Sequence, residues 1–289
     1  MPDNDANETR SVLITGTSSG IGAACALDLD RLGFRVFAGA RKPADSQRLA
    51  EQASGRLVPV LIDVTEPESI RAAVETIGAT VGESGLAGLV NNAGIVVPGP
   101  LELVSHDRFR RQLEVNVLGT HAVIQAFLPL LRAATGRIVI LSSIAGIVSP
   151  PYWGPYSASK RALEAIADAL RLELRQWGIK VSVVEPDSIA TPIWDKFQEA
   201  TVEVQEDLPD AQRDLYREDL DHLRELAEEL ARKGMPVERV VKVVRHALCA
   251  RRPKTRYPVG FRTRAAVWGK RFIQDRHLDW ILLRLLGYR

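Results

Sequence analysis

Through the first two thirds of the chain, short runs of Val, Ile, Leu and Ala alternate with longer segments whose apolar residues return every three or four positions. The short runs at residues 11–15 (SVLIT), 34–39 (FRVFAG), 57–62 (LVPVLI), 87–90 (AGLV), 136–142 (GRIVILS) and 179–185 (IKVSVVE) predict six strands. Between them, residues 23–32, 68–77 and 121–134 carry helical periodicity. Strands without polar alternation are covered on both faces, as parallel strands between two layers of helix are. The pattern therefore predicts an α/β protein built on a doubly wound parallel sheet.

No repeat and no linker divides the 289 residues, so residues 10–260 read as one large domain. A net charge of +2 gives no whole-protein attraction to nucleic acid. Cys25 and Cys249 stand far apart and form no metal-ligand pattern, which suits a reducing, cytoplasmic setting. The polar start, MPDNDANETR, reads as neither a secretory signal nor a transit peptide, and no apolar run approaches the ~20 residues that span a bilayer.

Charge changes sharply late in the chain. Residues 195–232 hold 13 acidic and 5 basic side chains, whereas residues 251–289 hold 11 basic and 2 acidic ones. In the acidic part Leu215, Leu223, Leu226 and Leu230 recur at helical spacing and Gly234 reads as a stop, so residues 195–235 are expected to form a helical insertion packed on the sheet. Residues 261–289 form a basic amphipathic extension in which Arg262, Arg264, Lys270, Arg271 and Arg276 precede HLDWILLRLLGYR. Such a tail lies on an anionic membrane, or packs on its own domain or on a partner subunit.

Two stretches carry chemistry. In VLITGTSSGIGAACAL, Gly16, Gly20 and Gly22 follow the first strand and open a helix. Glycines there let the backbone turn sharply and approach a pyrophosphate, whose charge the free N–H groups of a helix start favour. In PYWGPYSASKRALEAI, Tyr156 and Lys160 share one helix face. An ammonium beside a phenol favours the phenolate, so the pair reads as a proton donor and acceptor; an ordinary surface pair is the alternative.

The residues Thr15-Gly16-x-x-x-Gly20-x-Gly22, Asn91-Asn92-Ala93-Gly94, Ser143 and Tyr156-x-x-x-Lys160 arrive in one order, with the serine 13 residues before the tyrosine. In this the chain resembles the short-chain dehydrogenase/reductase family over roughly residues 10–260. The TPIW segment, the insertion and RYPVG make it similar to the branch of retinol and 17β-hydroxysteroid dehydrogenases. The resemblance implies a Rossmann-type domain with about seven parallel strands and an NAD(P)(H)-dependent oxidoreductase that interconverts an alcohol and its carbonyl on a hydrophobic, steroid-, retinoid- or lipid-like substrate. It also implies a homo-oligomer, dimer or tetramer. A reductase of small aliphatic or sugar-type carbonyls, and a catalytically silent binding protein on the same fold, stay open as alternatives.

By the same resemblance Tyr156 is the general acid/base, Lys160 lowers its pKa and holds the nicotinamide ribose, Ser143 orients the substrate oxygen and Asn116 supports a water relay. The cofactor is implied to lie against Gly16, Ser18, Ser19, Gly20, Ile21, Gly22, Arg41, Asp63, Val64, Asn92, Ala93, Gly94, Pro186, Ile189 and Thr191. Ala40 stands where members that use NAD carry an acid, and Arg41 follows it, so NADP is expected, with NAD possible. Candidate substrate residues are Ile144, Tyr152, Trp153 and Trp194, with Ala145, Ile193 and Phe197 beside them. One position departs from the family pattern: Asp187 replaces the glycine of PGxxxT, which raises the question of a left-handed backbone there.

Overall fold

The computed structural model describes residues 9–206 and 209–288; the polar stretch 1–8, Asp207, Leu208 and Arg289 lie outside the described residues. Seven strands, β1 (Ser11–Thr15), β2 (Arg35–Ala40), β3 (Leu57–Leu61), β4 (Gly88–Asn91), β5 (Arg137–Leu141), β6 (Lys180–Pro186) and β7 (Arg256–Val259), form one sheet in the order β3-β2-β1-β4-β5-β6-β7. Every neighbouring pair is parallel. The chain's direction of travel across the sheet reverses at the β1–β4 seam, which places a crevice beyond the carboxyl ends of those strands.

The helices are α1 (Gly20–Arg31), α2 (Pro43–Ala50), α3 (Pro67–Val81), α4 (His106–Leu113), α5 (Thr120–Ala133), α6 (Gly154–Glu173), α7 (Ile193–Glu206), α8 (Asp210–Leu215), α9 (Arg217–Arg232), α10 (Glu238–Cys249), α11 (Phe261–Phe272) and α12 (Asp275–Leu286). Successive strand residues serve opposite cores. Leu13, Leu89, Ile138 and Ile140 pack with Ile77 of α3, Phe127 of α5 and Leu163 of α6, while Val12, Ile14, Val90 and Val139 pack with Leu29 of α1 and Val240 and Val244 of α10. Both faces are dry, which is why these strands show no polar alternation. The edge strand β3 differs: Pro59 and Leu61 are exposed, because a strand with one neighbour and one covered side has less to bury. Proline, which cannot donate to a sheet, is tolerated at that edge.

Helices α4 and α5 are joined without a break by a π-helical segment, Glu114–Gly119. The whole run His106–Ala133 is long and apolar enough to cross a membrane by length and composition, contrary to the expectation from sequence that no apolar run approaches that length. Its residues Val123, Ile124, Phe127 and Leu131 are buried in the core of the sheet domain. The insertion also departs from expectation. Leu215 is 70% exposed at the end of α8, and the chain breaks at Tyr216 before α9 begins, so the helical phase restarts. The packed stripe is Leu220, Leu223 and Ala227, set against Trp194 and Phe197 of α7. The extension forms two helices, α11 and α12.

Candidate functional site

The turn out of β1 is fixed by its contact with the chain leaving β4. Thr15 Oγ1 accepts hydrogen bonds from the Asn92 and Ala93 amides, both at 3.1 Å. The Asn92 side chain returns the contact, its Nδ2 donating to the Thr15 carbonyl at 3.1 Å and to the Gly16 carbonyl at 2.9 Å. Gly16 and Gly20 take left-handed backbone, with φ of 71° and 59°. A methyl group on Gly22 would stand 2.3 Å from the Gly16 carbonyl oxygen. The start of α1 has no side-chain cap, so the N–H groups of its first turn are left for an anion. Ser18, Ser19 and Ile21 are partly exposed along this rim.

At the end of β2, Ala40 is buried and Arg41 is exposed. Partial burial alone would raise the Asp63 carboxyl, but hydrogen bonds to its Oδ1 from Thr65 N at 2.9 Å and Thr65 Oγ1 at 2.7 Å, and the charges of Arg41 and Arg111, outweigh it and hold the pKa below the ordinary value. Val64 is buried against Gly119 of the π-helical segment. A residue that sequence reasoning missed also reaches this rim: Arg48 of α2 donates to the Ser18 carbonyl at 3.4 Å and pairs with Asp45 at 3.2 Å. The three-residue spacing of Asp45 and Arg48 after Arg41 is the only sequence signal for it.

Ser143 follows β5 and Tyr156 and Lys160 lie in the first two turns of α6, so one sheet edge brings them together. Tyr156 is buried, and burial pushes its phenol up to about 12 while a hydrogen bond with Ser143 pulls it down. Burial is the larger influence in this arrangement, so the phenol lies above its ordinary value and not below it. Lys160 Nζ lies 5.5 Å from the centre of the Tyr156 ring and donates to the Leu141 carbonyl at 2.7 Å. Burial brings its pKa down to about 8, with the Glu164 carboxylate acting against the fall. Asn116 sits in the π-helical segment and is tied to backbone: Nδ2 donates to the Ile95 carbonyl at 3.0 Å, and Oδ1 accepts from the Ile95 amide at 2.9 Å. The same Nδ2 donates to Ser159 Oγ at 3.1 Å. Gly94 packs beside Asn116, and Asn91 is buried with neither amide atom bonded.

Beside Tyr156 rises an aromatic wall. Trp153 stands 5.9 Å from Tyr156, 5.9 Å from Trp194 and 4.6 Å from Phe197, ring centre to ring centre. Ala145 joins this cluster and Ile144 is partly exposed, whereas Ile193 is 37% exposed. Tyr152 adopts φ of 64°, a costly conformation for an aromatic residue, and packs on Tyr216 and Tyr288. The loop after β6 closes the other side. Pro186 is buried, Ile189 accepts from Trp194 Nε1 at 2.8 Å, and Thr191 sits against Gly20. Asp187 does not occupy left-handed space; its amide donates to the Val259 carbonyl at 2.9 Å and its Oδ1 accepts from the Ser188 amide at 2.8 Å. The neighbour with positive φ is Gly260, packed against Asp187 Cβ.

The sequence profile described as short chain dehydrogenase matches residues 10–201. The chain belongs to the short-chain dehydrogenase family. It is 42% identical over 275 residues to the uncharacterized oxidoreductase YbbO of Escherichia coli K12, covering 94% of each chain. It is 36% identical over 292 residues to retinol dehydrogenase 5 of Mus musculus, covering 99% of this chain and 90% of that one. Among solved structures, a short chain dehydrogenase from Burkholderia cenocepacia in complex with NADP superimposes with a TM-score of 0.71 at 26% identity, covering 96% of this chain and 98% of that one. The family is one of oxidoreductases that bind nicotinamide dinucleotides, and the glycine cradle here fits such a group. Glycine at residues 16, 20 and 22 leaves the turn lined by backbone, and the N–H groups at the start of α1 have no side-chain cap.

That cradle generates a first prediction. Gly22→Ala forces its new methyl into the Gly16 carbonyl and Asn92 Nδ2, at 2.3 and 2.5 Å. Losing one charged hydrogen bond to the pyrophosphate weakens NADPH binding about tenfold or more. Titration of NADPH fluorescence measures it, and wild-type affinity in the folded variant would refute the cradle.

Proposed function

We propose that this protein interconverts an alcohol and its carbonyl on a hydrophobic substrate, steroid-, retinoid- or lipid-like, with a preference for NADP(H). The observation that carries the reading is the meeting of Tyr156, Ser143 and Lys160 beside the wall of Trp153, Trp194 and Phe197. A bound nicotinamide supplies or accepts the hydride. In reduction, the Tyr156 phenol donates its proton to the oxygen of the carbonyl as the carbon gains hydride; in oxidation the phenolate takes the alcohol proton back. Ser143, within hydrogen-bonding reach of that phenol, holds the same oxygen. The ammonium of Lys160 favours the phenolate and gives a donor to the ribose. Asn116 holds Ile95 and Ser159 in register and supports a water relay behind Lys160. Apolar rings around few polar groups suit a lipophilic substrate, in line with the similarity to retinol dehydrogenase 5.

The NADP reading rests on β2. Ala40 leaves no acid to repel a 2′-phosphate, Arg41 projects beside Asp63, and Arg48 adds a second guanidinium at the rim. A guanidinium holds phosphate through paired charged hydrogen bonds.

The extension adds a peripheral membrane contact to this proposal. On α11, Phe261, Trp268 and Phe272 are 83%, 67% and 72% exposed on the face opposite buried Thr263. Arg262, Arg264, Lys270 and Arg271 lie on the same helix, an arrangement suited to an anionic bilayer.

Three measurements test these statements. Tyr156→Phe lowers turnover by ~10²–10⁴ with NADPH affinity retained, as loss of a general acid requires, and near-normal turnover on any good substrate contradicts the mechanism. Arg41→Ala weakens NADP(H) about ten- to a hundredfold and leaves NAD(H) nearly unchanged. Equal losses for both cofactors would show Arg41 to be uninvolved. In flotation with phosphatidylglycerol vesicles the protein rises with the lipid, and Phe261→Ser/Trp268→Ser/Phe272→Ser stays behind; a wild type that does not float removes the membrane contact.

A further inference from the structure

The side of Lys160 turned away from Tyr156 carries a second cluster of charge. On α6, Lys160, Glu164 and Asp168 recur every four residues and so stack along one helix face. Across from it β6 supplies Glu185 and β7 supplies Arg256. Arg256 Nε donates to Glu164 Oε2 at 3.1 Å, its Nη1 and Nη2 donate to Asp168 Oδ1 and Oδ2 at 3.0 and 2.9 Å, and its Nε lies 3.5 Å from Glu185 Oε1. One guanidinium thus serves three carboxylates. The cluster is graded from solvent to interior: the Asp168 side chain is 43% exposed, Glu164 12% and Glu185 1%. Glu164 Oε1 and Glu185 Oε2 are buried without a partner.

Ser142 links this cluster to the site. Its hydroxyl donates to the Lys160 carbonyl at 3.4 Å and lies close enough to Glu164 to draw that carboxyl's pKa down. An ammonium removed from water gives up its proton unless an opposite charge holds it. The Leu141 carbonyl that Lys160 Nζ touches is only a dipole. The remaining polar neighbours cannot supply that charge: on α6 itself the neutral phenol of Tyr156 and the hydroxyl of Ser159, and from the π-helical segment the uncharged Asn116. Arg161 and Lys270, which meet at the Ile147 carbonyl at 2.7 and 3.0 Å, bear the same sign as Lys160. The carboxylate whose field acts on Lys160 is Glu164.

We propose that Glu164 is a positioning residue for the reaction: held in place by Arg256, it is the counter-ion that keeps the buried Lys160 protonated at neutral pH, while Glu185 competes with it for the same guanidinium. The proposal deepens the functional reading above, because it supplies the charge that the role of Lys160 requires. Burial pushes Glu164 up, with Ser142 and Arg256 drawing it back; burial and then the Glu164 charge push Glu185 up to about 7. Near neutrality Glu185 can therefore take a proton and leave Arg256 to Glu164. The two glutamates have opposite expected effects. Glu164→Gln removes the charge that holds the lysine proton, so the lysine titrates at lower pH. Glu185→Gln removes a competitor, so Glu164 stays ionised and the lysine does not titrate lower.

The test reads Lys160 directly in the cofactor-free protein, by the pH titration of its side-chain ¹³Cε resonance after selective lysine labelling, with the peak assigned from its loss in Lys160→Met. Wild type is expected to titrate near 8, Glu164→Gln about one pH unit or more lower, and Glu185→Gln no lower than wild type. An unchanged midpoint in Glu164→Gln, or an equal fall in Glu185→Gln, overturns the proposal whether or not the protein proves to be a dehydrogenase. The second reading is the pH profile of kcat/KM for carbonyl reduction. Its high-pH limb in Glu164→Gln moves down with the lysine, giving about fivefold less activity at pH 8 and near wild-type activity at pH 6, as a single ionisation displaced by about one unit from about 8 requires. A loss equal at all pH values marks a structural role and overturns the assignment. No turnover by wild type on any carbonyl, with the lysine shift present, rejects the functional reading and leaves the counter-ion standing.

Discussion

Everything at the active edge hangs on the contact between two chains leaving the sheet side by side, at the ends of β1 and β4. The Thr15 hydroxyl takes two amide protons from the β4 side, and the Asn92 amide gives two back to the β1 side. This reciprocal clamp brings backbone so close to backbone that only glycine fits at residues 16 and 22. From Asn92 the ties continue. The amide and carbonyl of Ile95, three residues on, are bonded to Asn116, Asn116 donates to Ser159, and Ser159 donates to the Tyr156 carbonyl at 2.7 Å. A continuous path of short bonds thus connects the glycine cradle to the helix that carries the phenol. Fixing the height of one fixes the other, as the proposed transfer of a hydride and a proton to one carbonyl requires.

The π-helical segment is the part of that path where regular structure gives way. A continuous α-helix from His106 to Ala133 would carry the side chains of the second half in a different phase. The extra residue per turn at Glu114–Gly119 is the place where Asn116 turns to Ile95 and Ser159 and Gly119 packs on Val64. The deviation from helix periodicity and the buried amide belong together. A helical wheel drawn through this region would miss both.

What the sequence made legible, and what it hid, follows from the range of the interactions concerned. Six of the seven strands were readable to within a residue of their ends from their runs of Val, Ile and Leu, whereas β7 was not read as a strand; the cradle was readable because its glycines fall within seven residues of one another. Leu215 misled because the break at Tyr216 resets the helical phase, and a break between two acidic helices leaves no apolar mark. Asp187 looked like a strain site when read along the chain; in three dimensions its neighbour Gly260 takes the unusual φ, and that contact depends on β7, far off in sequence. Arg256 and Glu164, 92 residues apart, show nothing in any local pattern. Their meeting follows only from β6 lying between β5 and β7.

The two halves of the site are made of different material. The cofactor side is built from backbone groups, glycines and two or three fixed polar side chains, so it tolerates little change and announces itself in short motifs. The proposed substrate side is the wall formed by the side chains of Trp153, Trp194 and Phe197, the left-handed Tyr152, and the insertion helix that carries Leu220 and Leu223. Such a wall is specified by volume and shape, which many combinations of large apolar residues satisfy. Tyr152 shows how it is held: its strained backbone is fixed by the Gly99 amide donating to its carbonyl at 2.8 Å and by the rings of Tyr216 and Tyr288, contributed by the insertion and by the far end of the chain. The aromatic wall is therefore assembled from three distant segments. On the proposed reading, changing the insertion or the C-terminal extension remodels the substrate space while the clamp between β1 and β4 stays where it is.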